Sequence, residues 1–137
     1  MYSKSTICAT ANRLRRQGYS YSQSFVIAWA MAKGQTTAVS GTSFRQKALE
    51  HLTRYTADQV TFTLVREPEN IHDHNAVAVM ASVNGSAAYK IGYIPSTTAP
   101  VVSAILNNGT RVRVSLRAIV GGWADGINYG LRLCVNI

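Results

Sequence analysis

The sequence predicts a mainly β protein of the α+β class: a small, partly open β-barrel of OB or SH3 type, with five or six strands and one interposed helix. Two observations predict the barrel. Short β-branched segments recur after residue 59 with turn residues between them, and a single helix-like apolar segment interrupts them near residue 100. A third observation, helical spacing of apolar residues before residue 34, predicts a preceding pair of helices. We therefore expect an N-terminal helical hairpin over residues 1–36 and a β-barrel domain over residues 37–137.

The charge balance points to a polyanionic partner. The 137 residues contain 14 Lys and Arg against 6 Asp and Glu, a formal net charge of +8. Such a surplus favours nucleic acid, ahead of a membrane surface, although simple solubility would also explain it. Arg13, Arg15 and Arg16 cluster at the end of the first predicted helix, either as a solvated helix end or as a phosphate-binding patch.

The cysteines and the hydropathy favour a cytoplasmic protein that does not associate with membranes. Cys8 and Cys134 lie near opposite ends of the chain without CxxC spacing, and we expect both to be buried, reduced thiols. No apolar run approaches the roughly 20 residues that a membrane-spanning helix requires.

The N-terminal pair of helices has serine caps and an apolar second member. Ser3 or Ser5 is expected to cap the first helix, and Ser20 or Ser22 the second, which Gly34 ends. The second helix is apolar almost all round, so it must be covered by the barrel or by a partner chain. A protein partner or a homo-oligomer through these helices is one expectation.

The remaining elements follow from alternation and turn residues. Residues 35–40 are interpreted as a polar link, and residues 41–52 end in one or two helical turns. The predicted strands cover residues 59–66, 75–82, 89–94, 111–120 and 129–135. Asn84-Gly85 is a hairpin signal, and a helix is expected over residues 99–106.

The strand at residues 111–120 carries a row of cations. Val112, Val114, Leu116 and Ala118 alternate with polar residues, which is typical of a strand with one buried face. The alternation places three arginines on its other face: Arg111, Arg113 and Arg117. A glycine-rich loop with Trp123 follows, and Trp123 is either exposed or folded back on the barrel.

A polar connection between two strand-like segments is the most informative stretch. Residues 64–79 read LVREPENIHDHNAVAV, and ten polar or turn-forming residues separate the two apolar ends. Small β-domains commonly keep their functional residues on such a connection.

This stretch, together with KIGYIP at residues 90–95, resembles the HIRAN domain, a small DNA-binding β-barrel. The resemblance covers roughly residues 39–135. The family occurs fused to helicase-like remodelling ATPases and as small stand-alone bacterial and phage proteins. The resemblance implies a role in DNA repair or replication, or in a phage–host context.

The resemblance also implies a pocket for the 3′ end of single-stranded DNA. By position, Asp73 would accept a hydrogen bond from the terminal 3′-hydroxyl, and Arg45 would meet phosphate. Two positions depart from the family pattern: His72 stands where well-known eukaryotic members have tyrosine, and Gln46 where an aromatic residue follows the arginine. Glutamine stacks poorly on bases, so general DNA binding is implied more firmly than 3′-end selectivity.

Cations for phosphates and flat groups for bases complete the predicted interface. The predicted DNA-binding residues are Phe44, Arg45, Arg66, His72, Asp73, Asn75, Lys90, Tyr93, Arg111, Arg113, Arg117 and Trp123. Alternatives remain at several of them: Phe44 and Tyr93 as buried core residues, and Asp73 and Asn75 as side chains that bond nearby backbone amides in Asx turns.

Two other function classes compete with DNA binding. A metal-dependent nuclease would use His72, Asp73 and His74, but His51 is the only other histidine, and no HExxH or CxxC spacing exists. We therefore expect no metal, no cofactor and no catalytic activity. A protein-interaction adaptor would use the apolar second helix.

Overall fold

The computed structural model describes residues 3–137 and confirms the predicted fold class. The helices are α1 (Lys4–Arg16), α2 (Tyr21–Lys33), α3 (Gln46–Leu52) and α4 (Ala99–Asn107). The strands are β1 (Gln35–Ala38), β2 (Val60–Arg66), β3 (Val77–Val83), β4 (Tyr89–Tyr93), β5 (Arg113–Val120) and β6 (Gly130–Asn136). Short 3₁₀ helices span Thr42–Phe44 and Ala57–Gln59.

Both predicted N-terminal helices are present, and their caps explain where they begin. The Ser3 hydroxyl accepts a hydrogen bond from the Thr6 backbone at 3.3 Å. Ser20 and Gln23 form a reciprocal capping box, with two bonds of 3.2 Å. These bonds satisfy backbone N–H groups that a helix start otherwise leaves unpaired.

Six antiparallel strands form two three-stranded sheets, in the orders β1-β6-β5 and β2-β3-β4. The predicted hairpin between β3 and β4 is confirmed: Asn84 and Gly85 both have positive φ, at 51° and 77°. Type I′ turns require this conformation at both central residues, and Asn-Gly adopts it at low cost.

The interpretation of residues 35–40 as a polar link was wrong, because residues 35–38 form β1. Thr36 pairs with Cys134 and Thr37 with Leu133 in an antiparallel ladder. Threonine is β-branched and suits a strand, and its polarity is tolerated because β1 is an edge strand. The division into two domains at residue 36 or 37 stays a prediction.

One short contact joins the two sheets. Just beyond β1, Ser40 donates to the Tyr93 carbonyl at 2.7 Å, and Tyr93 donates back at 2.9 Å. Gly92 makes this approach feasible, because a Cβ there would lie 2.5 Å from the Ser40 carbonyl oxygen. On the opposite side β2 and β5 are neighbours without ladder pairing. The barrel is therefore partly open, as predicted.

The main core lies between the sheets, α3 and α4. Its fully buried large residues include Leu49, Leu52, Val77, Val79, Ile91, Leu131 and Leu133. A smaller cluster of Met31, Ile105 and Val135 joins α2 to α4 and β6. The backbone of Ile137 adds a 3.1 Å hydrogen bond to the Met31 carbonyl. The helical pair is therefore packed against the barrel.

Strand β5 alternates as predicted only as far as Arg117. Arg117 is the extra residue of a β-bulge, because Leu116 pairs with Leu133 while Ala118 pairs with Arg132. The bulge shifts the alternation by one, so Ile119 and not Ala118 packs on the core.

The prediction that both cysteines are buried was wrong for Cys8, which is exposed; Cys134 is half-buried, and both thiols are free. Ile7, Ala11 and Leu14 form the buried face of α1, and Cys8 lies about 100° away from Ile7 around the helix. Within residues 3–137, no helix combines the length and the apolarity needed to cross a bilayer.

Candidate nucleic-acid interface

The connection between β2 and β3, residues 67–76, is a tightly hydrogen-bonded loop that we call the motif turn. The Glu67 backbone donates to the Ala76 carbonyl at 2.8 Å. The Asn70 side-chain oxygen accepts from the backbones of His72 and Asp73, at 2.9 and 3.1 Å. One Asp73 carboxylate oxygen accepts from the Asn75 backbone at 2.9 Å. Asn70 and Asp73 thus form successive Asx turns that fix the path of the loop.

A cluster of polar side chains, which we call the Glu67 cluster, anchors the motif turn to β4. Lys90 forms an ion pair with Glu67 at 2.6 Å and donates to the Tyr93 hydroxyl at 2.9 Å. The Tyr93 hydroxyl and the Asn70 amide each donate to the other Glu67 oxygen, at 3.0 and 3.1 Å. Lys90 and Tyr93 were predicted to bind DNA, and the fold uses both of them to hold this loop.

A bulge in β4 brings Lys90 and Tyr93 to the same side of the sheet. Lys90 pairs with Met80 and Tyr93 with Ala78, so Ile91 is the extra residue between them. Residues 90 and 93 are therefore two ladder steps apart, and side chains two steps apart share a face. Tyr93 is half-buried with its hydroxyl bonded, and Ile91 fills the core beside it.

The Glu67 cluster shifts the ionisation of both its charged members. The hydrogen bond from Lys90 is the main cause that lowers the pKa of the Glu67 carboxyl, and it outweighs the opposing effect of burial. The same bond is the main cause that raises the pKa of the Lys90 ammonium. Each charge stabilises the other, so the pair is ionised across the neutral range.

Arg66 ties the end of β2 to α4. Its Nε donates to the Ser103 hydroxyl and its guanidinium to the Asn107 side-chain oxygen, both at 3.0 Å. The side chain is half-buried. Arg66 was predicted as a DNA contact. Its partners lie more than 35 positions away in the sequence, so no local pattern indicates them.

Phe44 and Arg45 lie next to each other on the surface at the start of α3. Phe44 is 87% exposed, so the alternative of a buried core residue does not apply, and Arg45 is also exposed. Neither side chain forms a hydrogen bond or ion pair with residues 3–137. A flat ring and an unpaired cation side by side are the groups that stack on bases and neutralise phosphates.

Gln46 fixes this exposed pair to the barrel. Its amide nitrogen donates to the carbonyls of Thr42 and Tyr129, at 2.8 and 2.9 Å, and its oxygen accepts from the Tyr129 backbone at 2.6 Å. Gln46 is therefore a clamp between the opening segment and the start of β6. Gln46 was predicted only as a poor stacking group, and its role as a clamp was not predicted.

The loop after β5 presents Trp123 beside the same clamp. Trp123 is 80% exposed, which decides against the folded-back alternative. A Cβ on Gly122 would lie 2.1 Å from the Tyr129 ring, so this ring packs directly on the glycine. Tyr129 thus contacts Gln46 through its backbone and the Trp123 loop through its ring.

The tip of the motif turn and its histidines point outward. His72, His74 and Asn75 are exposed, and Ile71 is 89% exposed at the tip of the loop. Asn75 faces the α1–α2 connection across a small pocket. Among residues 3–137, no three His, Cys, Asp or Glu side chains converge in a way that could hold a metal ion.

The arginines of β5 lie on its exposed side, as the alternation predicted. Arg111, just before the strand, and Arg113 line an open cleft with Arg13 of α1, whereas Arg117 lies further along, at the bulge. Arg15, near Arg13 in sequence, stacks instead on the Tyr21 ring at 4.8 Å.

Comparisons with known proteins agree with this architecture. The family model of the HIRAN domain matches residues 34–120, more than half of the chain. A crystal structure of a Lactobacillus plantarum protein from a structural genomics consortium has a TM-score of 0.51 at 19% identity, over 76% of this chain and 95% of that one. At this identity the likeness supports the fold alone. A search of curated proteins found no match.

Proposed function

This chain belongs to the HIRAN domain family, and from that premise we propose that it is a non-enzymatic DNA-binding module for single strands and their 3′-hydroxyl ends. Its action in repair, replication or a phage–host setting would consist of recruitment or end protection. The observation that carries the proposal is the Phe44–Arg45 pair, an exposed ring and an unpaired guanidinium on a clamped segment.

The Gln46 clamp reduces the entropic cost of binding DNA, because it orders the segment in advance. Gln46 holds the backbone on either side of the pair with three hydrogen bonds to Thr42 and Tyr129. A base that stacks on Phe44 and a phosphate that meets Arg45 therefore need not order the segment first. Stacking of this kind contributes about 1–3 kcal/mol per base, and the phosphate contact adds a salt-sensitive term.

Asp73 suits the role of a hydroxyl acceptor even though it already forms an Asx turn. One carboxylate oxygen accepts from the Asn75 backbone, and the other forms no hydrogen bond with residues 3–137. A carboxylate has about four acceptor sites, so the second oxygen can accept from a terminal 3′-hydroxyl. The loop is then supported by Lys90, Tyr93 and Arg66. The exposed residues beside them make the DNA contacts.

The nuclease alternative has little support. His72 and His74 are exposed, and these two side chains and Asp73 do not converge in a way that could hold a metal ion. A catalytic metal site needs about three convergent protein ligands.

The adaptor alternative rests on α2. Its exposed side includes Tyr21 at 61% and Val26 at 69% exposure, apolar area of the kind found at protein interfaces. Light scattering would favour this alternative if the protein is a dimer that Val26→Glu converts to a monomer.

The test compares three oligonucleotides of one sequence: a strand with a free 3′-hydroxyl, a strand with a 3′-phosphate, and a duplex. Anisotropy titrations should give the tightest binding to the free hydroxyl. Asp73→Asn is the informative variant, because its amide oxygen can still accept from the Asn75 backbone while its amide nitrogen replaces the free carboxylate oxygen. We expect it to lose the preference for the hydroxyl, with about a tenfold weaker affinity, since a hydrogen bond to a charged group contributes roughly 1.5–3 kcal/mol.

Arg45→Gln should weaken binding to all single strands alike, and Arg54→Gln, at an exposed arginine outside the predicted interface, serves as the matched control. Absence of binding at low salt would refute the proposal. Equal affinity for all three oligonucleotides in the wild type would refute its 3′-end part.

A further inference from the structure

An open cleft lies outside the motif turn, between α1 and the start of β5. It encloses about 730 Å³. Its lining includes three arginines, Arg13, Arg111 and Arg113, and four side chains with hydroxyl groups, among them Thr110. No lining side chain is acidic.

The walls of the cleft are held together by one of its own cations. Arg13 is half-buried, and its guanidinium donates to the Thr110 hydroxyl across the cleft. This bond joins α1 to the segment that leads into β5. The guanidinium has five N–H donors, so one bond to Thr110 leaves others for a ligand.

The other two arginines have no counter-charge among residues 3–137. Arg111 and Arg113 are exposed and form no ion pair there. Three guanidinium groups around one cleft repel one another, and an anion in the cleft would relieve that repulsion. Planar guanidinium groups with nearby hydroxyl donors are the chemistry that recognises phosphate.

We infer that this cleft is a second nucleic-acid contact, which holds the phosphate backbone of a strand whose end is bound near Phe44, Arg45 and the motif turn. The inference rests on the proposed function. It assigns a role to α1, which lies entirely before the HIRAN match at residues 34–120.

The arginines of β5 provide the path between the two contacts. From Arg111 to Arg117 the chain advances six residues, or about 20 Å at the rise of a β-strand. Arg117 lies at the bulge of β5, and the strand then leads to the loop that exposes Trp123. The row therefore runs from the cleft towards the end of the barrel that carries the Gln46 clamp.

The test uses the full chain, two lengths of single-stranded DNA and a charge-neutralised variant, Arg111→Gln/Arg113→Gln. This variant leaves the Arg13–Thr110 bond intact, so it should fold normally. With a long strand we expect at least tenfold weaker binding, and the slope of log affinity against log salt should fall by about 0.7 for each lost phosphate contact. With a strand of a few nucleotides the variant should bind as the wild type does.

Two controls decide whether the cleft itself is responsible. Arg111→Lys/Arg113→Lys keeps both charges and should retain most of the affinity, whereas Lys47→Gln/Arg54→Gln removes two exposed cations elsewhere and should have little effect. Equal losses in the cleft variant and in Lys47→Gln/Arg54→Gln would overturn the inference, because they indicate general charge attraction.

The outcomes also separate this inference from the proposed function. If Arg45→Gln weakens DNA binding while the cleft variant binds as the wild type does, the second contact alone is overturned. If the cleft variant weakens DNA binding while Arg45→Gln and Asp73→Asn bind as the wild type does, the proposed end-binding site alone is overturned. No binding by the wild type would overturn both.

Discussion

At the scale of single residues, Glu67 is the side chain on which the motif turn most depends. It accepts hydrogen bonds from Lys90, Tyr93 and Asn70, and so links β2, β4 and the loop itself. A single charged acceptor shared by three donors is stronger than an isolated surface pair, which contributes about 0–1 kcal/mol. The exposed side chains of the loop are positioned by this half-buried cluster.

The ionisation of this cluster predicts how stability depends on pH. The pKa of Glu67 is lowered by folding, so its stabilising contribution is present above the ordinary glutamate value of 4.5 and is lost as pH falls through the lower folded value. The pKa of Lys90 is raised, so its contribution is present below 10.5 and is lost as pH rises through the higher folded value. We expect a stability plateau between these limits, measurable as the thermal midpoint against pH.

Glu67→Gln should flatten the acidic side of this plateau, because the titrating group is removed. Glu69→Gln, in the same loop, is the matched control and should leave the acid dependence as in the wild type. If Glu67→Gln retains the full acid dependence, another carboxyl group is responsible.

Asp73 forms the Asx turn that turn chemistry suggested, and Phe44 is exposed instead of packed in the core. Whether either residue contacts DNA stays a prediction. Lys90 and Tyr93 could not be assigned to the support of the loop, because the bulge at Ile91 decides which way they face, and no local signal marks it. Gln46 was missed because its partner, Tyr129, is 83 residues away.

At the scale of elements, the contact between Ser40 and Tyr93 is the critical connection between the sheets. Its two hydrogen bonds require the backbone of β4 to approach within a distance that only glycine allows at position 92. This explains physically why the IGY segment has a glycine at its centre.

Gly92→Ala should therefore destabilise the protein by about 1–3 kcal/mol, the usual cost of forcing an extra methyl group into a packed site. Denaturant unfolding would measure it. Gly130→Ala is the matched control, because a Cβ there would meet only a Val120 methyl group at 3.0 Å, which can shift. Similar costs at both positions would contradict the role assigned to Gly92.

Most elements were predictable, and the exceptions share a cause. Helices α1, α2 and α4 and the strands β2 to β6 have clear periodicity and turn signals. Strand β1 has only four residues, three of them exposed, so it lacks alternation and is recognised only by its pairing with β6. The bulge at Arg117 likewise depends on the facing strand.

At the scale of the whole molecule, the helical pair and the barrel are joined by buried apolar contacts. Met31, Ile105 and Val135 are each at most 5% exposed where α2, α4 and β6 meet. Burial of this kind couples the unfolding of the parts that it joins. The periodicity of the sequence predicted a helical hairpin and a barrel, but it could not show that they share buried contacts.

The chain has two tryptophans, one in each part, which makes the coupling measurable. Trp123→Phe leaves Trp29 as a probe of the helices, and Trp29→Phe leaves Trp123 as a probe of the barrel. We expect coincident fluorescence transitions in both variants. Met31→Ala, in either background, should lower both midpoints together, at a cost of about 2–5 kcal/mol. Separate transitions would instead support two independent domains.

The pairing of β1 with β6 has a consequence for how the chain acquires its fold. Gln35 pairs with Val135, about one hundred positions later, and β6 is the central strand of its sheet. During synthesis, β1 and β5 both leave the ribosome before the strand that each must pair with. The contacts between β1 and β6 join residues about one hundred positions apart and therefore form slowly. Until they form, the edge of β1 is open to other chains. Strand β6 thus completes the sheet that β1 begins, and the polar residues of β1 limit aggregation until that pairing forms.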